Sequence, residues 1–486
     1  HYPLRRQRQM CIRDRNKGEK MNPELLEDVV RQVLSEMKLE SSKMVDIYNY
    51  GIFDSVDDAI NASEIAQRQL FECSVQKRNE YVNAIRQIIL KKDNLEMMSR
   101  DAVEETGIGR YEDKILKNKL AAEKTPGMED LITRAVSGQD GLTLEEYCPF
   151  GVIGSITPTT NPTETFISNS ISMIVGGNTV VFSPHPRAKN TSIRLVKLMN
   201  KALEQAGAPR NLISMVKEPS IENTNLMMNH PKIKMLVATG GPAIVKTVLS
   251  SGKKAIGAGA GNPPVVVDET ADIEKAAKDI VAGSSFDNNV PCIAEKEVFA
   301  VESICDQLIY HMKKNGAYEI TSYEMIEKLD KLVSQENGKP NTDFVGKSAK
   351  YILEKLGINV DDSIRLIICR TNKDHHLVQE EMLMPILPIV SVSDVDVAIE
   401  YAYEAEHRNR HTAIMHSRNV EKLSKMAKKL EATIFVKNAP SYAGIGVGGE
   451  GYTTFTIAGP TGEGLTSPKS FCRVRRCTIS DSFSIR

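Results

Sequence analysis

No apolar run in this 486-residue sequence approaches the roughly 20 residues that a membrane-spanning helix needs, so the chain reads as a soluble protein with no membrane partner. An excess of either charge is also missing. The 62 basic residues against 63 acidic ones leave a formal charge of -1, which argues against a nucleic-acid or membrane-surface partner drawn by bulk charge. The eight cysteines (Cys11, Cys73, Cys148, Cys292, Cys305, Cys369, Cys472 and Cys477) form no CxxC pair and no Cys/His cluster at zinc-site spacing. No metal site is expected. Scattered cysteines fit reduced thiols in a cytosolic setting, most of them packed as small hydrophobes. The first 20 residues are basic and lack the apolar core of a secretory signal. They read either as a basic binding arm or as sequence preceding the true start at Met21. We favour the second and leave them out of the fold.

What is present is length enough for two or three domains. From Met21, Asn22 is a candidate N-cap with Pro23 at the first helical position. Leu25, Leu26, Val29, Val30, Val33, Leu34 and Met37 follow at three- and four-residue steps, one apolar stripe on a short helix over 21–38. A polar linker over 39–46 sets it apart, which favours a detachable helix offered to a partner groove over one packed on the domain core. Residues 46–140 read as mostly helical, with mixed-charge faces expected to be solvated. From Cys148 onward, short β-branched runs alternate with helices: GVIGSIT, NTVVFSP, ISMV, IKMLVATG and NPPVVVD, then VFAVES, IRLIICR, ILPIVSV, TAIMHS and ATIFVKN. Alternation of this kind predicts doubly wound α/β sheets.

Two segments carry chemistry. In ATGGPAIVK an apolar strand runs directly into Thr239, Gly240 and Gly241 and then an apolar helix, a turn at which backbone amides can approach a phosphate. The full GxGxxG fingerprint is missing, so a plain strand-to-helix turn remains open. In FDNNVPCIAEKEVFA, Cys292 follows a polar turn and heads the next element, where amide dipoles can favour a thiolate. A buried structural cysteine is the competing reading.

ITPTTNPTET, GAGAGNPP, FDNNVPCIAEKEVFA, QEEMLMPILPIV, NRHTAIMHS and TIAGPTGEGLTSP, in this order, resemble the aldehyde dehydrogenase superfamily. Within it they resemble the CoA-acylating propionaldehyde and acetaldehyde dehydrogenases of bacterial microcompartments, which serve propanediol and ethanolamine utilisation. The resemblance covers essentially Met21 to Arg486 and implies an NAD-dependent oxidation of a short-chain aldehyde with coenzyme A as acyl acceptor. By resemblance, Cys292 is the nucleophile and Asn161 an oxyanion-hole donor. Thr239, Gly240 and Gly241 face the pyrophosphate, and Glu381, beside Glu380, binds the nicotinamide ribose. His411 resembles a histidine near the site in CoA-acylating relatives, either helping to deprotonate the CoA thiol or purely structural.

Two departures from the hydrolytic branch stand out. Gly257 occupies the place of the glutamate that activates the deacylating water, so a thiol such as CoA is expected to win the thioester. Ser183, followed by Pro184, stands where hydrolytic members hold the adenosine ribose with a lysine, which weakens any inference about NAD versus NADP. A hydrolytic aldehyde dehydrogenase, a non-redox cysteine acyltransferase or thioesterase, and a shell-associated structural protein are the alternatives.

The resemblance also implies two Rossmann-like α/β domains and a small oligomerisation arm. The NAD-binding domain is expected over 47–255 and the catalytic domain over 256–440. Residues 441–486 should return to the first domain, with the arm near 125–150 and in the C-terminal tail. The helix over 21–38 resembles encapsulation peptides. A homo-oligomer (dimer or tetramer) is therefore expected, bound to microcompartment shell or core proteins in the bacterial cytoplasm.

Overall fold

The structure is a computed structural model that describes residues 49–483. The expected leader, the helix over 21–38 and its linker lie outside the described residues. After a two-residue strand come four helices: Val56–Phe71, Val75–Ile89, Lys92–Thr106 and Tyr111–Lys124. Ser55 and Ser74 cap the first two, each hydroxyl accepting from the amide three residues on. Gly107, at φ +68, closes the third in the left-handed conformation that only glycine adopts freely.

Strands β1 (Ile52–Phe53), β2 (Arg134–Gly138) and β3 (Gly141–Pro149) are followed by β4 (Val152–Thr157), β5 (Thr179–Pro184), β6 (Ile213–Val216), β7 (Ile233–Thr239) and β8 (Lys254–Ala258). Parallel pairing in the order β1-β6-β5-β4-β7-β8 makes the first sheet. The second is also parallel and comprises β9 (Pro264–Val267), β10 (Glu297–Val301), β11 (Ala317–Ile320), β12 (Leu366–Arg370), β13 (Ile386–Val392), β14 (Thr412–His416) and β15 (Ile434–Lys437), in the order β11-β12-β13-β10-β9-β14-β15. Every residue of β4, β5, β9 and β10 is buried. Strands covered by helices on both faces read as unbroken apolar runs, which is why their sequence signal is strong.

A short ribbon pairs β16 (Ile457–Ala458) with β17 (Gly464–Leu465). The last strand, β18 (Cys472–Ser480), pairs antiparallel with β3 along nine residues, and β2 lies on the other side of β3. This exposed three-stranded arm includes β2, which falls inside the stretch expected to be mostly helical. Its exposed residues carry no alternating apolar face to mark it. The change of sheet falls between Ala258 and Pro264, so β8 belongs to the first sheet.

In the first sheet β4 sits where the winding reverses, with β5 on one side and β7 on the other. Ligand crevices of open α/β sheets form beyond the carboxyl ends of strands at such a point. Thr157–Asn161, Ser183–Pro184 and Thr239–Gly241 leave those ends. From the second sheet the segments that precede β9, β10, β13 and β14 supply Gly259–Asn262, Cys292, Glu381 and His411. Carboxyl ends of one sheet thus meet amino ends of the other.

Candidate active site

A cleft of ≈ 520 Å³ opens at this junction. Asn161, Ser183, Pro184, Thr239, Gly240, Gly241, Cys292 and Glu381 line it together. His411 does not. Its ring is fully buried, with Nδ1 on the Thr412 hydroxyl at 2.8 Å and its backbone amide donating to Glu406 at 2.9 Å. Burial, then the Lys296 ammonium, pushes its pKa down to about 4. The imidazole is therefore neutral and lies behind Gly261: a β-carbon at Gly261 would stand 2.9 Å from His411 Cγ.

Beyond β7, the helix Pro242–Leu249 starts at Gly241 with no side-chain cap. A β-carbon on Gly241 would meet nothing within 4 Å, so the backbone there is open to the cleft, while the Gly240 amide donates to the Ala258 carbonyl at 3.1 Å. Ile221 and Ile244 supply apolar wall, and the Ser183 and Thr224 hydroxyls share a hydrogen bond of 2.7 Å. A helix amino end beside apolar walls fits a dinucleotide pyrophosphate.

The nucleophile loop is shaped by three consecutive left-handed residues, Asp287 (φ 49), Asn288 (φ 55) and Asn289 (φ 64). Asp and Asn tolerate that conformation best among side-chain-bearing residues. Buried bonds hold it: Asp287 accepts from Lys117 at 2.6 Å and from the Arg110 amide at 2.7 Å. The Asn288 amide donates to the Gly346 carbonyl, and that of Asn289 to the carbonyls of Ser284 and Glu295. Cys292 itself lies in a turn before β10 rather than at a helix head. The expected amide-dipole help comes from its own backbone N–H, which is outweighed. Burial, then the Glu381 carboxylate, pushes its thiol up to about 12, against the pull of Lys296 and Lys117.

Glu381 is the one acidic residue among the described cleft-lining residues. Its carboxylate accepts from the Gly261 amide at 3.4 Å, and burial raises its pKa to about 7 against the pull of Lys296. Neighbouring Glu380 instead pairs with Lys339 at 3.4 Å on the surface. Gly257 does not line the cleft. It is buried in β8, and a β-carbon there would stand 2.7 Å from Val245 Cγ1, turned into the helix and not into the cleft. Gly259 and Ala260 are the residues of that segment that line the cleft, and neither carries a carboxylate. The segment Gly257–Asn262 therefore brings no carboxylate into the cleft.

Sequence reasoning missed a second tier. Lys114 and Lys117 lie on the helix Tyr111–Lys124, three residues apart, where solvated charges were expected. Both are fully buried with Glu164 and Asp287. Nothing in the sequence separates them from surface lysines. Among the described residues, no group of three or more His, Cys, Asp or Glu is placed to hold a metal. No described helix is long and apolar enough to cross a membrane.

Comparisons with known proteins agree with this geometry. The chain is 62% identical to the Rhodopseudomonas palustris propionaldehyde dehydrogenase solved with bound CoA and an acylated cysteine (TM-score 0.89, covering 90% of this chain and 100% of that one). A propionaldehyde dehydrogenase from the Clostridium phytofermentans fucose utilisation bacterial microcompartment is 51% identical (TM-score 0.88, 90% and 100%). The CoA-propanoylating propanal dehydrogenase of Citrobacter freundii is 49% identical over 469 residues, 96% of this chain and 100% of that protein. The aldehyde dehydrogenase family model matches residues 43–456, and the chain belongs to that family.

Proposed function

We propose that this protein oxidises a short aliphatic aldehyde, propionaldehyde or acetaldehyde, to its acyl-CoA with NAD as oxidant. The observation that carries the reading is a single cleft. It unites Cys292, Asn161 and the Thr239–Gly241 turn, and Glu381 is its one carboxylate among the described residues. The Cys292 sulfur, once deprotonated, bonds to the aldehyde carbon, and charge moves to the carbonyl oxygen. The Asn161 NH₂ donates to that oxygen, a contact worth about 10²–10³ in rate at comparable sites. A bound nicotinamide supplies the acceptor for the hydride that leaves the carbon, and an acyl thioester remains on Cys292. The CoA sulfur then attacks the acyl carbon and the Cys292 sulfur leaves. Aldehyde, CoA and NAD⁺ thus give acyl-CoA, NADH and one proton. Thr239, Gly240 and Gly241 receive the pyrophosphate, Glu381 the nicotinamide ribose, and Ser183 with Pro184 the adenosine end. His411 backs the loop through Gly261 as a neutral imidazole.

The two sheets support an NAD-binding domain over 47–255, extended to Ala258 by β8, and a catalytic domain up to 440, with 441–486 returning to the first domain and the arm. The arm formed by β2, β3 and β18, with Ile132, Val136 and Val474 exposed, supports a homo-oligomer. The microcompartment source of one relative supports a site of action inside such a compartment in the bacterial cytoplasm, reached through residues 21–38.

The test is mass spectrometry of the enzyme incubated with propionaldehyde and NAD⁺ without CoA. A propionyl group on the Cys292 peptide, discharged when CoA is added, is expected. An unmodified Cys292 alongside NADH formation would sink the reading.

A further inference from the structure

We propose that Lys117 is a positioning residue for this reaction: its ammonium group locks the Asn161 carboxamide so that the NH₂ faces the cleft beside Cys292. The inference rests on the function proposed above. Lys117 Nζ donates to Asn161 Oδ1 at 2.6 Å, and both side chains are buried. An ammonium group has three donors and no acceptor, so only the amide oxygen can face it. The Asn161 NH₂ is thereby turned the other way. It makes no hydrogen bond to a described residue, and Asn161 lines the cleft with Cys292.

Asparagine alone would not hold this orientation, because oxygen and NH₂ have nearly the same shape and exchange by a half-turn. Lys117 is itself fixed. It also donates to Asp287 Oδ2 at 2.6 Å and forms an ion pair with Glu164 Oε1 at 3.1 Å, both carboxylates fully buried. Burial works against its charge, but the two carboxylates outweigh that and hold its pKa above the usual lysine range. Lys114 completes the set by donating to the Thr160 carbonyl at 2.6 Å, which fixes the backbone next to Asn161.

The second partner gives the contact its value. Asp287 belongs to the left-handed turn that leads into Cys292. One ammonium therefore ties the oxyanion donor of the first sheet to the nucleophile loop of the second. Misplacement of a catalytic group by about 1 Å costs on the order of 10² in rate. Two buried lysines face two buried carboxylates, so simple charge pairing would be met without any contact to Asn161.

The test is a double-mutant cycle on the full-length enzyme, with NADH formation from propionaldehyde, NAD⁺ and CoA as readout. Lys117→Met is expected to lower kcat about 10- to 100-fold. In the same assays KM for NAD⁺ and for CoA should stay within about threefold, because the lost contact serves the transition state. In an Asn161→Ala background the same change should lower kcat by less than about threefold, since the group it positions is gone. Lys117→Met leaves two buried carboxylates facing one lysine, so Lys117→Met/Glu164→Gln, with buried charge balanced, is measured in parallel. It should show the same loss. Equal losses in the presence and absence of Asn161, or a balanced variant with wild-type kcat, would overturn the role of Lys117 alone. A wild type that makes no NADH would overturn the functional reading, and this role with it.

Discussion

Gly261 packs against the backbone of Cys292 so closely that a β-carbon on it would stand 2.8 Å from the Cys292 carbonyl oxygen. His411 closes the other side at 2.9 Å. Neither neighbour is the far end of a flexible chain, so a methyl group there must displace the nucleophile loop. Gly261→Ala is expected to lower kcat by about 10²-fold, the penalty of an ångström-scale misplacement. Circular dichroism should stay near wild type. A Gly261→Ala enzyme with wild-type kcat would mean that the loop yields without moving the sulfur.

Burial, and after it Glu381, holds the Cys292 thiol at about 12 in the free protein. Only the thiolate alkylates. Inactivation of the free enzyme by iodoacetamide should therefore rise about tenfold per pH unit between about pH 6 and about pH 9, without a plateau. A plateau below about pH 8 would show that Lys296 and Lys117 win over burial.

Glu295 links the nucleophile loop to the chain beyond β15: its carboxylate accepts from both the amide and the hydroxyl of Ser441 at 2.8 Å. Burial is the largest influence on it and, despite those bonds, raises its pKa from 4.5 to about 7. A raised folded-state value means stability that is complete below the unfolded value and is lost as pH rises through about 7. Glu295→Gln cannot titrate. Its melting temperature should change less between pH 5 and pH 8 than that of wild type, by differential scanning fluorimetry. Identical pH profiles for the two proteins would remove Glu295 as the source.

The legible part of the fold is the part buried on both faces. IKMLVATG, NPPVVVD and ILPIVSV announce β7, β9 and β13 because central strands carry no polar alternation. The short edge strands β1 and β11 and the exposed arm strands β2 and β18 have no comparable signal. Short motifs brought Asn161, Cys292 and Glu381 to notice, and the cleft unites them. Gly257, from the same motifs, faces the helix Pro242–Leu249 and does not line the cleft, because successive positions of a strand point to opposite faces. Lys117 stayed illegible for a different reason. Its partner Asp287 is 170 residues away in the chain, and nothing local distinguishes a paired, buried lysine from a solvated one.

The central claim is the handover of the acyl group to CoA at a site where the Gly257–Asn262 segment brings no carboxylate to the cleft. NADH formation from propionaldehyde and NAD⁺, with and without CoA, in wild type and Cys292→Ala, tests it most directly. Sustained turnover that needs CoA and disappears with Cys292→Ala is the predicted result. Equal turnover without CoA, with propionate as product, would contradict the account, because water would then be reaching the thioester through some other base.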